Sequence, residues 1–128
     1  MMRKQEVRMK NLEFRKAYSL REIIDLISQE VAKNGFTNEP FYIYTKADDA
    51  VAKADLVCYL ELGPSITEDD EEIYPDFVLQ ESLELFYSGE QFEDVLMNVL
   101  HQKNTTVTMH DYILALNYYL RNDTFFDF

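Results

Sequence analysis

Cys58, His101, His110 and the run Glu68-Asp69-Asp70-Glu71-Glu72 are the residues whose types first suggest chemistry. Cys58 lies inside the apolar run Leu56-Val57-Cys58-Tyr59-Leu60, where a thiol is expected to be buried and inert. His101 and His110 are separated by a spacing that matches no recognised zinc motif, and no second cysteine joins them. They read as surface or capping histidines. The acidic run has oxygen ligands for a hard cation but lacks the alternating acids, the turn glycine and the distal glutamate of an EF-hand loop. With glycines only at positions 35, 63 and 89, the chain has no GxGxxG, Walker-type or GxSxG turn, and HExxH is also missing. The expectation is a protein that is not an enzyme, with no cofactor, no metal and no small-molecule substrate.

Charge is the stronger signal. The chain of 128 residues carries a formal net charge of −12, and the charge is segregated. Residues 1–16 hold Arg3, Lys4, Arg8, Lys10, Arg15 and Lys16 against Glu6 and Glu13, whereas no lysine or arginine occurs between Lys53 and Lys103. Such a surface repels phosphate backbones and anionic lipid and steers a basic protein towards itself. The expected partner is therefore a basic protein, not nucleic acid and not a membrane. A lone cysteine suits a reducing compartment, and no apolar run reaches the roughly 18 residues of a membrane span. With no secretory signal at the charged N-terminus either, the expected location is the cytoplasm.

The elements that must position these residues are marked by their ends. Ser19 and Glu22 make a capping-box pattern ahead of Leu20, Ile23, Ile24, Ile27 and Val31, and Asn34-Gly35 closes that helix. A second helix begins near Ser88 and Gln91 and carries Phe92, Val95, Leu96, Val99 and Leu100 to Lys103-Asn104. A third begins at Thr108 with Asp111 in its first turn, and Val107 and Tyr112 stand at the positions of a hydrophobic staple. Phe41 to Thr45 and Leu56 to Leu62 read as strands. Residues 83–87 alternate like a third strand, while Val78 and Leu79 suit the opening of a short helix, and both readings stand. Residues 65–72 read as a polar acidic loop. The aromatic tail Phe125-Phe126-Asp127-Phe128 reads as packed against the sheet, with an interface rim as the other reading.

Strands followed by adjacent helices give an α+β class: a small antiparallel sheet with an N-terminal helix and two C-terminal helices packed on one face. The length fits one acidic domain over residues 1–128, with residues 1–10 as a basic flexible arm.

The C-terminal third has a recognisable pattern. Asn98, Gln102 and Lys103 end one helix, and Ala115, Asn117, Tyr118, Tyr119, Asn122, Asp123 and Phe125 mark the next. This set resembles an uncharacterised family of small acidic bacterial domains, with Asn-x-x-x-Gln-Lys leading to Ala-x-Asn-Tyr-Tyr and Asn-Asp-x-Phe. Domains of this kind also resemble the immunity proteins of toxin–antitoxin and contact-dependent growth inhibition systems. That resemblance implies a cytoplasmic immunity protein that binds and neutralises a cognate toxin domain, a basic nuclease being the expected target. An acidic adaptor or regulatory module for another basic cellular protein is the alternative. On either reading Glu68, Asp69, Asp70, Glu71, Glu72 and Asp76 are the candidate contacts.

Overall fold

The computed structural model describes residues 12–37, 40–46 and 50–128; the basic arm expected over residues 1–10 lies outside them. The elements run β1 (Tyr18–Ser19), α1 (Leu20–Asn34), β2 (Tyr42–Thr45), β3 (Val57–Glu61), β4 (Ser65–Ile66), β5 (Glu72–Ile73), α2 (Asp76–Gln80), β6 (Glu84–Ser88), α3 (Gly89–Lys103), a 3-10 turn (Asn104–Thr106) and α4 (Met109–Asn122). Among the described residues the main sheet is antiparallel, in the order β1-β3-β2-β6, and β4 and β5 pair separately. The chain is α+β.

The expected helix ends are where the capping chemistry places them. Ser19 Oγ accepts from the Glu22 amide at 3.2 Å while Glu22 Oε1 accepts from the Ser19 amide at 2.9 Å. Thr108 and Asp111 make the same reciprocal pair at the head of α4, at 3.2 and 2.9 Å. Each box satisfies two amides that would otherwise be orphaned. Gly35 ends α1 with φ of 79°, a value that an L side chain rarely adopts, and its amide bonds to the Val31 carbonyl.

Strand pleating sorts the sheet into two unlike faces. Ile43, Cys58 and Leu60 point to one side, where α1, α3 and α4 close the main core with Ile23, Ile24, Ile27, Phe92, Leu96 and Leu116. Tyr42, Tyr44 and Tyr59 point to the other, where α2 covers them with Phe77 and Val78. The expected N-terminal helix and two C-terminal helices share one face, and the short α2 is an addition on the other, where Val78 finds burial against Tyr44.

The two readings of residues 78–87 both hold in part, since α2 and β6 follow each other. Simple alternation fails along β6 because of a bulge. Ile43 faces Tyr87 but Tyr44 faces Leu85, leaving Phe86 as an extra residue, so Phe86 and Tyr87 are both buried. The expected loop at 65–72 is corrected to a hairpin, β4–β5. The tail is corrected as well: it packs on α3 and α4. Phe126 stacks edge-on with Tyr118 at 5.3 Å, and Gln102 accepts from the Phe128 amide and donates to the Phe126 carbonyl.

Candidate functional site

Thr67 organises the acidic hairpin. Its hydroxyl accepts from the amides of Asp69 and Glu71 at 3.2 and 3.1 Å, and its backbone bonds to Glu71 and Asp70. Asp70 takes the left-handed conformation, with φ of 63°, which aspartate tolerates better than most residues. The turn is therefore held by its own backbone. Its carboxylates are left outside: Glu68, Asp69, Asp70, Glu71 and Glu72 are exposed, and none has a cation within ion-pair distance among the described residues. The structure brings these five together on one hairpin. Asp76 belongs to a different element, the first turn of α2, and is also exposed.

Beside the hairpin lies the tyrosine face of the sheet. Ile66 pairs with Glu72 across the hairpin, and strand alternation puts Tyr74 on the same side as both. Tyr74 packs edge-on against Tyr44 at 6.2 Å, and its hydroxyl reaches Glu72 Oε1 at 3.5 Å. Partial burial raises the Tyr74 hydroxyl above its ordinary range, and the charges of Glu72 and Glu84, with Tyr42 nearby, push it further. Tyr44 is fully buried and donates to the Leu62 carbonyl at 2.9 Å; burial first, then its tyrosine and glutamate neighbours, raise its pKa. Tyr42 packs against Gly63, where an added Cβ would lie 2.4 Å from the nearest ring carbon. At the end of β3, buried Glu61 receives a two-pronged contact from Arg15, at 2.6 and 3.2 Å, and accepts from the Leu62 amide.

Nothing in the sequence signals the pairing of Glu61 with Arg15. Sequence reasoning also missed the tyrosine face, although Tyr42 and Tyr44 alternate within one strand and so had to share a side. Tyr59 and Tyr74 come from distant positions, and only the sheet register and the hairpin bring them near.

The other candidates are spent on structure. Cys58 is fully buried, and burial pushes its thiol up to about 12, so it stays protonated at neutral pH. His101 and His110 are exposed, and among the described residues no group of three or more His, Cys, Asp or Glu side chains is placed to hold a metal. The C-terminal motif residues mostly hold the fold. Asn98 accepts from Gln102 at 2.7 Å, Lys103 pairs with Asp111 at 3.2 Å, and Asn117 exchanges two hydrogen bonds with the Ala52 backbone.

A family model described as a domain of unknown function, DUF7716, matches residues 17–128. The chain belongs to this family. The DUF7716 match takes in every element from β1 to the tail, so the acidic hairpin, the tyrosine face and the motif residues all lie inside it, and Arg15 falls just outside. Comparison with curated proteins and with solved structures returns no match. Among the described residues no helix is long and apolar enough to cross a membrane.

Proposed function

We propose that this DUF7716 domain is a cytoplasmic immunity protein, which binds a cognate basic toxin domain and blocks it. The observation that carries the reading is the hairpin turn at 67–72, a hydrogen-bonded scaffold that presents exposed carboxylates with no ion-pair partner among the described residues. Preformed acidic turns lose little conformational freedom on binding and steer a basic partner from a distance. Glu68, Asp69, Asp70, Glu71, Glu72 and Asp76 are the contacts of this reading, which needs no reaction and no cofactor from the chain. The same turn suits an adaptor for a different basic protein.

One experiment separates these. The N-terminally tagged protein is used to capture partners from its native strain, with low-salt and then high-salt washes. Each stoichiometric partner is purified and its activity assayed with and without the domain. A single basic partner whose toxicity is abolished supports the immunity reading. A basic partner that binds without being inhibited favours the adaptor, and the absence of any stoichiometric partner overturns both. Replacing residues 68–72 with serine and asparagine is expected to slow association with the captured partner by about tenfold at low salt and to flatten its salt dependence. Unchanged kinetics would remove the hairpin from the interface.

A further inference from the structure

Gln102, Lys103, Tyr118 and Tyr119 come from two helices and converge on one stretch of chain, the tail. Asp123 closes α4 in the left-handed conformation, with φ of 55°, and the residues after it lie back on the helices. Phe125 meets Tyr119 at 5.5 Å between ring centroids, and Phe126 meets Tyr118 edge-on at 5.3 Å. Gln102 then brackets the main chain with a single carboxamide. Its Nε2 donates to the Phe126 carbonyl at 2.7 Å, and its Oε1 accepts from the Phe128 amide at 2.9 Å. A residue in a parallel strand brackets its neighbour in the same way, so the bonds do not depend on the side chain of Asp127 between them. Lys103 Nζ sits 5.2 Å from the centre of the Phe128 ring, within cation–π range.

Two observations set this apart from incidental packing of a chain end. The helix side is braced without the tail: Gln102 also donates to Asn98 Oδ1 at 2.7 Å, and Lys103 Nζ is held 3.2 Å from Asp111 Oδ2. Side chains fixed in advance lose less freedom when a ligand arrives. The tail, in turn, adds little to the core. Phe125, Phe126 and Phe128 are not part of it, Phe125 and Phe128 are exposed, and both bonds from Gln102 to the tail lie at the surface. A segment tied down by surface contacts alone opens at low cost.

We propose that Gln102, Lys103 and Tyr118 form a seat for an extended peptide segment with aromatic residues at alternate positions, held closed by the chain's own tail until a partner protein presents such a segment. Gln102 takes the main chain, while Tyr118 and Lys103 take the two rings. The seat uses none of residues 68–76 and is independent of the acidic docking reading.

The test uses the full chain, its Phe126→Ala/Phe128→Ala variant, whose tail no longer fills the ring positions, and a synthetic peptide of residues 124–128. Binding is followed by NMR on the Gln102 side-chain amide and the Tyr118 ring. The variant is expected to bind the peptide at least about tenfold more tightly than the parent, where the tethered tail competes at high effective concentration. A second peptide, with serine everywhere except at the phenylalanines matching 126 and 128, should bind within about threefold of the first, since main chain and rings carry the contact. Gln102→Ala, at an exposed position, should weaken both peptides by about tenfold through the loss of two hydrogen bonds. Should the variant fail to fold, the parent carries the test: the peptide should shift the Tyr118 ring there too, and no shift overturns the seat. Equal binding by parent and variant puts the peptide elsewhere and overturns it, as does no binding to a folded variant. Binding of the native tail sequence alone would mark a clasp private to this chain and overturn exchange with a partner.

Discussion

Buried acids show how a single side chain sets the pH response. Glu93 on α3 is buried and accepts from the backbone and hydroxyl of Thr37. Burial raises its pKa above 4.5, and its hydrogen bonds to Thr37 only partly offset this. A folded-state value raised above the unfolded one favours the fold at low pH, and that contribution is lost as pH climbs through the folded-state value. Asp111 acts in the opposite direction. The Thr108 amide, outweighing the penalty of burial, and then Lys103 hold it below 3.8, so its contribution is present above that value and lost as pH falls through the lower folded one. Glu93→Gln keeps an acceptor for Thr37 and removes the charge. Urea unfolding at about pH 4 and about pH 8 should show a smaller loss of stability on going alkaline in the variant than in the parent. Asn117→Ala is expected to cost about 1–3 kcal/mol, because it strips both partners from the backbone of Ala52, itself buried. The urea midpoint should fall with the slope unchanged. Neither the Glu93–Thr37 pairing nor the Asn117–Ala52 pairing was legible in the sequence. Glu93 sits among surface acids on α3, and Asn117 reads as one more polar residue in an amphipathic helix.

At the scale of elements, what was legible followed from local chemistry. Helices α1, α3 and α4 announce themselves by a cap, a periodic apolar face and a stop, all within one stretch of chain. β4 and β5 gave no such warning, since each has two residues and the turn between them is Thr67 followed by four acids. Their pairing depends on Thr67 folding back on Asp69 and Glu71. β6 was half-legible because its bulge puts Phe86 and Tyr87 both inside. The candidate acids were therefore readable as a charge run, but not as a structured turn beside an aromatic face. Gly89 gives a sharp test of how tightly the elements join. Helix propensity favours alanine there by at most about 1 kcal/mol. An added Cβ, however, would lie 2.5 Å from the Phe41 carbonyl oxygen, which also accepts the Gly89 amide. Gly89→Ala should therefore destabilise, by about 1–3 kcal/mol in urea unfolding. A stabilising result would mean that β2 and α3 can part without cost.

For the whole molecule, a charge of −12 makes self-repulsion a standing load on the folded state. Raising the salt from about 0.01 M to about 0.15 M shortens the screening length from about 30 to about 8 Å. The melting temperature should rise over that range, and it should rise less once residues 68–72 are neutralised. Thermal scans at matched pH would decide it. Cys58 adds a second global readout. As the sole cysteine of the chain, fully enclosed in β3 between β1 and β2, it can meet a thiol reagent only when the sheet opens. Its labelling rate is thus a built-in clock for opening. A ligand that holds the closed form slows that clock by the ratio of its concentration to its dissociation constant. Any suspected partner can then be weighed on the unmodified chain, by how long one sulfur stays hidden.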